Sequence, residues 1–261
     1  MARACVAEWP RVAADLARAF WPGPLTFVLR RSCLIPDVVT AGGDTVAVRC
    51  PNHPVMQAVI RACGFPLAAP SANRSAEVSP TTAEHVRQGL AGRIPCIVDG
   101  GPCPVGIEST VLDLTVSPPR ILRPGMIHEE SLRAVVGRLA RRRAGRGAVS
   151  RSPGLLERHY APRARLAVVP WRRPTQLASA LKELGAVPER TWVLAHRVIP
   201  EPRFVRGVSV LPHDATAFGR ALYATLHRCD AAGVEWIVAE AVPETPEWLG
   251  IADRLRRAAT R

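Results

Sequence analysis

The chain has 261 residues, of which 48% are hydrophobic and 22% are charged, as expected for a folded protein long enough for two domains. Its formal net charge of +13 permits anionic ligands, but 34 of the 35 basic residues are arginine, which also fits a compositional bias, so the charge alone does not indicate RNA binding. No apolar run approaches the roughly 20 residues of a membrane helix, and the first residues lack a secretory-signal pattern. We therefore expect a cytoplasmic protein without a membrane partner.

In the first part of the chain, the apolar spacing over 11–20 predicts a helix that ends at the following WPGP sequence. Further helices are predicted over 53–63 and 129–141, and another begins after a cap at Thr81 or Thr82. Short apolar runs predict strands over 25–29, 46–48, 96–99, 110–114 and 120–122.

Beyond residue 154 the pattern restarts after a basic, glycine-rich stretch that is typical of a linker. Apolar runs predict strands over 166–169, 192–195 and 236–239, and helical segments are predicted near 175–184, 214–232 and 247–259. Uninterrupted apolar strands that alternate with helices indicate a parallel sheet covered on both faces. We therefore predict an α/β protein with a catalytic domain over 1–140, a linker over 141–164 and a second α/β domain over 165–261.

Seven cysteines are scattered along the chain without a C-x-x-C pair. A structural zinc site needs closely paired ligands, and a disulfide framework is typical of short secreted chains. We therefore expect free thiols, most of them buried, and no dedicated metal site. The motifs of P-loop, dinucleotide-binding, zincin and serine-hydrolase sites are also missing from the sequence.

Small polar or basic residues stand where predicted strands meet loops. Arg49 ends a strand before a proline, where a guanidinium can hold a carboxylate through two parallel hydrogen bonds. Ser71 and Asn73 lie in APSANRS, a turn whose backbone N–H groups can surround phosphate oxygens, and Ser79 could add a further hydroxyl. Each also has an ordinary structural interpretation, as a surface arginine, a polar turn or a neighbour of a helix cap.

Three more residues follow the same pattern. The glycine of GIESTV (106–111) lets the backbone approach a ligand closely and places Ser109 at the mouth of the next strand. Arg123 ends a strand in RILRPG, before a sharp turn. Tyr160 lies in the predicted linker, where it could cover a ligand in the first unit or act as a hydrophobic anchor for the linker.

The order of these motifs is more specific than any one of them. WPGPLTFVL, TVAVRCPNHP, PLAAPSAN, SPTTA, VDGG, GIESTVLDL, RILRPG, SPGLLERHYAP and IADRLRRAA follow one another along nearly the whole chain. This succession resembles the bacterial and archaeal threonylcarbamoyl-adenylate synthases. The resemblance implies a YrdC-like domain with a twisted mixed sheet and helices, followed by a smaller Rossmann-like parallel α/β domain.

The resemblance also implies an activity. Members of the family are nucleotidyltransferases that join L-threonine, bicarbonate and ATP into threonylcarbamoyl-AMP and pyrophosphate, for the threonylcarbamoyl-adenosine modification of tRNA. ATP would arrive with Mg²⁺ as a substrate complex, without a tightly bound cofactor. The implied partners beyond these substrates are tRNA or tRNA-modification proteins.

Roles for individual residues are carried over from the family's motifs. Arg49 and Ser109 would bind L-threonine, and Asn73 would support the loop around Ser71. The implied ATP contacts are Thr45, Ser71, Ser79, Arg123 and Tyr160. No side chain is assigned as a covalent nucleophile or as a metal ligand.

One departure from the family pattern leaves alternatives open. Family members open with a strand, turn and helix that carry a threonine-contacting segment and a Lys/Arg motif for the triphosphate, and we expect this chain to begin after that motif. A misplaced start codon, a truncated gene product and a short protein with altered function are the three explanations. The alternative function is a non-catalytic nucleotide- or RNA-binding module. A hydrogenase-maturation factor is disfavoured, because the sequence has no acylphosphatase-like or zinc-finger segment.

Overall fold

The computed structural model describes residues 1–141 and 160–259. The helices in these ranges are α1 (Arg11–Phe20), α2 (Asp37–Thr40), α3 (Pro54–Cys63), α4 (Ala83–Leu90), α5 (Glu129–Val136), α6 (Pro174–Leu184), α7 (Ala215–Ala231) and α8 (Leu249–Ala258). The strands are β1 (Leu25–Arg30), β2 (Thr45–Val48), β3 (Thr110–Asp113), β4 (Arg120–Arg123), β5 (Arg165–Val169), β6 (Thr191–Ala195), β7 (Gly207–Val210) and β8 (Trp236–Glu240). Short 3₁₀ helices lie at Ala2–Cys5, Pro188–Arg190, Pro202–Phe204 and Pro246–Trp248.

The described residues form two compact units that are not continuous in sequence. The first contains residues 1–70 and 108–141, and the second contains residues 71–107 and 160–259. The predicted domain boundaries at residues 140 and 164 stay a prediction. Most of the predicted linker lies outside the described residues.

The first unit is built on a mixed sheet with the strand order β2-β1-β3-β4. β1 pairs parallel to β3 and antiparallel to β2, and β4 pairs antiparallel to β3. Leu25, Phe27 and Leu112 from the sheet are fully buried against Ala13 and Leu16 of α1. Leu25 and Phe27 are two residues apart in a strand, and Ala13 and Leu16 are three apart in a helix. Each pair therefore lies on one side of its element, and α1 packs on one face of the sheet.

The second unit contains a parallel sheet with the order β5-β8-β6-β7. The central strands are apolar without interruption, as in β8, where Ile237, Val238 and Ala239 have no exposed surface. This confirms the predicted parallel sheet and, together with the mixed sheet of the first unit, the predicted fold class. The sequence patterns missed β7, a four-residue strand that pairs only with β6 in the described residues.

Three local predictions were wrong. Residues 96–99 form no strand, and Val98 is 67% exposed; among the described residues no neighbouring strand pairs with this segment. The helix predicted over 129–141 ends at Val136, where Gly137 follows with φ +75°. The seven cysteines are free, but Cys33, Cys63, Cys96 and Cys103 are exposed, so most of the thiols are not buried. In the described ranges, no helix combines the length and hydropathy of a membrane-spanning segment.

Candidate functional site

One end of the strands in the mixed sheet gathers several of the predicted residues. β1 and β3 begin at this end, and β2 and β4 finish there, because the register pairs Phe27 with Val48, Leu25 with Thr110 and Val111 with Arg123. Arg49 directly follows β2, Ser109 directly precedes β3, and Arg123 is the last residue of β4. We call Thr26, Arg49, Ser109 and Arg123 the strand-end cluster.

Ser109 lies at the centre of this cluster. Its side chain is buried, and its hydroxyl lies 2.7 Å from the Oγ1 of Thr26 on β1. Arg123 donates from Nε to the carbonyl oxygen of Ser109 at 3.2 Å and from Nη2 to its hydroxyl at 3.3 Å. These bonds fix both the backbone and the side chain of Ser109, so a ligand that meets this hydroxyl finds it already oriented.

The loops around the cluster are held by close backbone contacts. In the WPGP loop, the N–H of Gly23 donates to the carbonyl of Cys50, and the carbonyl of Pro24 accepts from the N–H of Thr110. After β4, Gly125 lies so close to β3 that an added Cβ would sit 2.5 Å from the backbone nitrogen of Thr110. Thr110 also accepts from Ile127 N–H at 3.1 Å through its own hydroxyl. The RPG turn therefore needs glycine for its packing against the start of β3.

Arg49 supplies an exposed cation next to the buried Arg123. Partial desolvation of its guanidinium is the larger cause that lowers the pKa of Arg49, and the positive charge of Arg123 lowers it further. No carboxylate of the described residues contributes to this shift. Two guanidinium groups close enough to repel each other favour an anion between or beside them, because an anion relieves that repulsion.

Thr45 lies away from this cluster. It pairs with Arg30 at the far end of β1, whereas Arg49 follows the opposite end of β2. Arg49 is four positions after Thr45 in extended chain, a span of about 13 Å. The predicted contact between Thr45 and ATP stays a prediction.

In the second unit, Asn73 organises the loop that contains Ser71. Its Nδ2 donates to the carbonyl oxygens of Arg74 at 2.8 Å and Glu77 at 3.2 Å. Ser71 is exposed at the start of the loop, and Ser79 is buried just beyond it. A polar cavity of about 360 Å³ borders the loop, with Asn73 among its lining residues.

Ser79 is held from α7 by a histidine. His227 donates from Nε2 to the carbonyl oxygen of Ser79 at 3.1 Å, and its ring stacks on His85 of α4 with the centroids 3.8 Å apart. Thr82 caps α4 by accepting from the N–H of His85 at 3.3 Å, which confirms the predicted cap. Burial is the first cause that lowers the pKa of His85, and the charge of His227 lowers it further.

Tyr160 is 1% exposed and lies within the second unit. Its ring stacks on Tyr223 of α7 at 5.8 Å, and the guanidinium carbon of Arg254 of α8 lies 5.5 Å from the ring centroid. This packing favours the anchor interpretation of the tyrosine. The histidine before it lies outside the described residues, and the predicted contact of Tyr160 with ATP stays a prediction.

The sequence patterns did not identify two functional candidates, Thr26 and Arg254. Thr26 lies inside an apolar strand, and only its pairing with β3 shows that its hydroxyl reaches Ser109. Arg254 stands in IADRLRRAA beside Arg256 and Arg257, and nothing in the sequence marks it as the fully buried arginine of the three. In the described ranges, no group of three or more histidine, cysteine, aspartate or glutamate side chains could hold a metal ion.

The fold and the strand-end cluster define a two-unit α/β protein with arginines and a fixed hydroxyl at one end of its mixed sheet. Residues 1–125 match the Sua5/YciO/YrdC family profile, described as "Telomere recombination". Residues 127–260 match the profile "Threonylcarbamoyl-AMP synthase, C-terminal domain".

Known relatives match nearly the whole chain. A threonylcarbamoyl-AMP synthase from Pyrococcus abyssi is 39% identical over 261 residues, which cover 97% of this chain and 75% of the relative. One from Bacillus subtilis is 39% identical over 257 residues, which cover 96% of this chain and 73% of the relative. The crystal structure of P. abyssi Sua5 complexed with L-threonine superposes with a TM-score of 0.87 at 38% identity, over 98% of this chain and 76% of that chain.

The chain belongs to the threonylcarbamoyl-AMP synthase family, whose members are nucleotidyltransferase-type enzymes. The predicted family and enzyme class are thereby confirmed, and the fold class is confirmed by the structural match. These relatives do not favour the alternative of a non-catalytic nucleotide- or RNA-binding module.

Proposed function

We propose that this chain makes threonylcarbamoyl-AMP and pyrophosphate from L-threonine, bicarbonate and ATP, in the cytoplasm and for the modification of tRNA. The observation that carries the proposal is the strand-end cluster, in which two arginines and an oriented serine hydroxyl meet at one end of the sheet. The similarity to a Sua5 structure that contains L-threonine supports an amino-acid ligand at such a site.

The strand-end cluster suits the carboxylate of threonine. Arg49 would hold the carboxylate through its two parallel N–H groups, since a guanidinium matches a carboxylate in shape as well as charge. The Ser109 hydroxyl would bind a polar group of the same ligand. Thr26 and Arg123 would act by holding that hydroxyl in place.

The reaction requires two anions to approach each other. The amine of threonine attacks the carbon of bicarbonate, an N–C bond forms, and water is lost to give a carbamate. A carbamate oxygen then attacks the α-phosphorus of ATP, the bond between the α-phosphorus and the bridging oxygen breaks, and pyrophosphate leaves. Fixed cations at the site lower the repulsion between carbamate and phosphate and stabilise the charge that develops during the transfer.

The loop over 71–79 is the proposed nucleotide contact in the second unit. Its hydroxyl groups and the backbone N–H groups of the turn are donors suited to phosphate or ribose oxygens. Asn73 would act by closing the loop through its two bonds to backbone carbonyls. Mg²⁺ would enter with ATP, and it would neutralise part of the triphosphate charge when bound.

The test is release of pyrophosphate from ATP. We expect release that depends on both threonine and bicarbonate. Because the relatives are longer than this chain, the assay also uses a version extended upstream in the same reading frame. Folded protein of both forms that releases no pyrophosphate above the level without threonine would overturn the proposal.

A further inference from the structure

One hydrogen bond links a strained residue of the second unit to the neighbour of another. Tyr160 has φ +64° and Ala76 has φ +69°, a left-handed conformation that residues other than glycine rarely adopt. The N–H of Ala161 donates to the carbonyl of Ala76 at 2.9 Å. Such conformations persist only where the surrounding structure holds them. The contacts of Tyr160 therefore help to hold both its own segment and the segment around Ala76.

The ring of Tyr160 is held on two sides. Tyr223 of α7 stacks on it with 29° between the ring planes, and Arg254 of α8 places its guanidinium carbon 5.5 Å from the ring centroid. A cation at this distance is attracted by the ring, and the attraction is strongest where water is excluded. Tyr160 is 1% exposed, and Arg254 has no exposed surface.

Arg254 is an unusual residue for a core. Arginine is rarely buried without a partner, since its charge must be compensated. Asp253 provides compensation through a contact between its Oδ2 and Nη1 of Arg254 at 3.3 Å, and Nη1 also lies 3.4 Å from the carbonyl oxygen of Gly250. A hydrophobic residue would fill the same core without the cost of a buried charge, which points to a specific role for the guanidinium.

Ala161, the residue after Tyr160, is hydrogen-bonded to the loop that carries Ser71. Glu77 and Ala161 form a parallel β-bridge, and the carbonyl of Glu77 accepts from Nδ2 of Asn73 at 3.2 Å. The contacts therefore run from Arg254 through Tyr160 and Ala161 to residues 73–77, all within the second unit.

We propose that Arg254 is a positioning residue that sets the conformation of loop 71–77 by holding Tyr160. Arg254 acts through the tyrosine and the Ala161–Ala76 hydrogen bond, without contacting a substrate. The consequence for catalysis rests on the proposed function, in which this loop contacts ATP. The structural claim about the loop does not depend on that function.

Amide hydrogen exchange tests the structural claim without nucleotide. In the full chain with Arg254→Met, we expect the backbone amides within 73–80, of which Pro80 has none, to exchange about tenfold faster, while those of β6 keep their wild-type rate. The matched control is Arg256→Met, which removes an exposed guanidinium that also pairs with Asp253. Wild-type exchange in 73–80, or an equal acceleration in β6, would overturn the proposal.

A second variant keeps the test decisive if Arg254→Met does not fold. Tyr160→Leu keeps an apolar side chain but removes the ring, and it should accelerate exchange over 73–80 in the same way. Unchanged exchange there would overturn the proposal.

Kinetics test the link to the reaction. In a wild-type protein that releases pyrophosphate, Arg254→Met should raise the KM for ATP by about tenfold and leave kcat within about twofold. An unchanged KM for ATP in folded Arg254→Met would overturn the link. If the wild type itself were inactive, the proposed function would fail, and the exchange measurement would still decide the role of Arg254.

Discussion

Arg123 holds Ser109 at two points, with Nε 3.2 Å from its carbonyl oxygen and Nη2 3.3 Å from its hydroxyl. Because the Oγ1 of Thr26 also lies 2.7 Å from the same hydroxyl, the serine side chain has little rotational freedom. The last residue of β4 thus fixes the residue before β3, and the site depends on the pairing of strands that are separate in the sequence.

Removal of the Ser109 hydroxyl should weaken threonine binding. A hydrogen bond to a charged or strongly polar group contributes about 1.5–3 kcal/mol, so Ser109→Ala should raise the Kd for threonine by about tenfold or more. Isothermal titration calorimetry measures this change. Ser179→Ala, which removes an exposed hydroxyl of α6, is the control. Wild-type affinity in Ser109→Ala would contradict the assignment of this residue.

Arg49→Ala should affect binding rather than folding. The residue is exposed, and substitution of exposed residues usually changes the free energy of unfolding by no more than about 0.5 kcal/mol. The Kd for threonine should rise by at least about tenfold, because a bidentate charged contact is lost. Arg11→Ala, whose side chain is 96% exposed, should alter neither quantity. Loss of stability without loss of affinity would mean that Arg49 has a structural role.

Gly125→Ala should destabilise the first unit. An added Cβ would lie 2.5 Å from the nitrogen of Thr110 and 2.9 Å from the carbonyl oxygen of Glu108, so the RPG turn would have to move. We expect a loss of about 1–3 kcal/mol in the free energy of unfolding, measured with denaturant. Gly89→Ala is the matched control, because its Cβ meets nothing within 4 Å in α4 and should stabilise by up to about 1 kcal/mol. Equal effects of the two substitutions would refute the close packing.

The stacked histidines predict a pH dependence. Burial is the first cause that lowers the pKa of both His85 and His227; the Ser79 carbonyl and the carboxylates of Asp230 and Glu77 act in the opposite direction on His227, and Glu84 does so on His85. A histidine with a lowered folded pKa binds fewer protons than in the unfolded chain, whose pKa is about 6.5. The stabilisation is therefore present above about pH 6.5 and is lost as the pH falls through the folded pKa values.

Thermal unfolding between pH 7.5 and pH 5 measures this effect. We expect the unfolding temperature of the wild type to fall as the pH is lowered, and the fall to be smaller in the double variant His85→Gln/His227→Gln. If the unfolding temperature changed with pH equally in both proteins, the histidine pair would make no contribution to the pH dependence of stability.

The sequence predicted the apolar strands well, because their burial leaves a continuous hydrophobic pattern in the chain. It failed where an element depends on a distant partner. Residues 96–99 have the composition of a strand, but an isolated strand cannot satisfy its backbone groups, and no partner pairs with them in the described ranges. β7 has a weaker pattern, yet it forms because β6 offers an open side.

The candidate site shows the same limit. The motifs around Arg49, Ser109 and Arg123 follow strand ends, so their approach to one end of the sheet could be expected. The positions of Thr45 and Tyr160 could not be expected from the sequence. The position of Thr45 depends on the antiparallel register of β2, and that of Tyr160 depends on side chains from α7 and α8. Sequence order alone does not contain these pairings.

Detection of the adenylate itself is the most direct test of the proposed reaction. The chain and its upstream-extended version are each incubated with L-threonine, ATP, Mg²⁺ and ¹³C-bicarbonate, and the products are analysed by mass spectrometry. We predict threonylcarbamoyl-AMP that carries the ¹³C label, with a lower yield from Arg49→Ala when threonine is below saturation. Folded protein of both versions that binds ATP and threonine but forms no labelled adenylate would show that the chain does not catalyse this reaction.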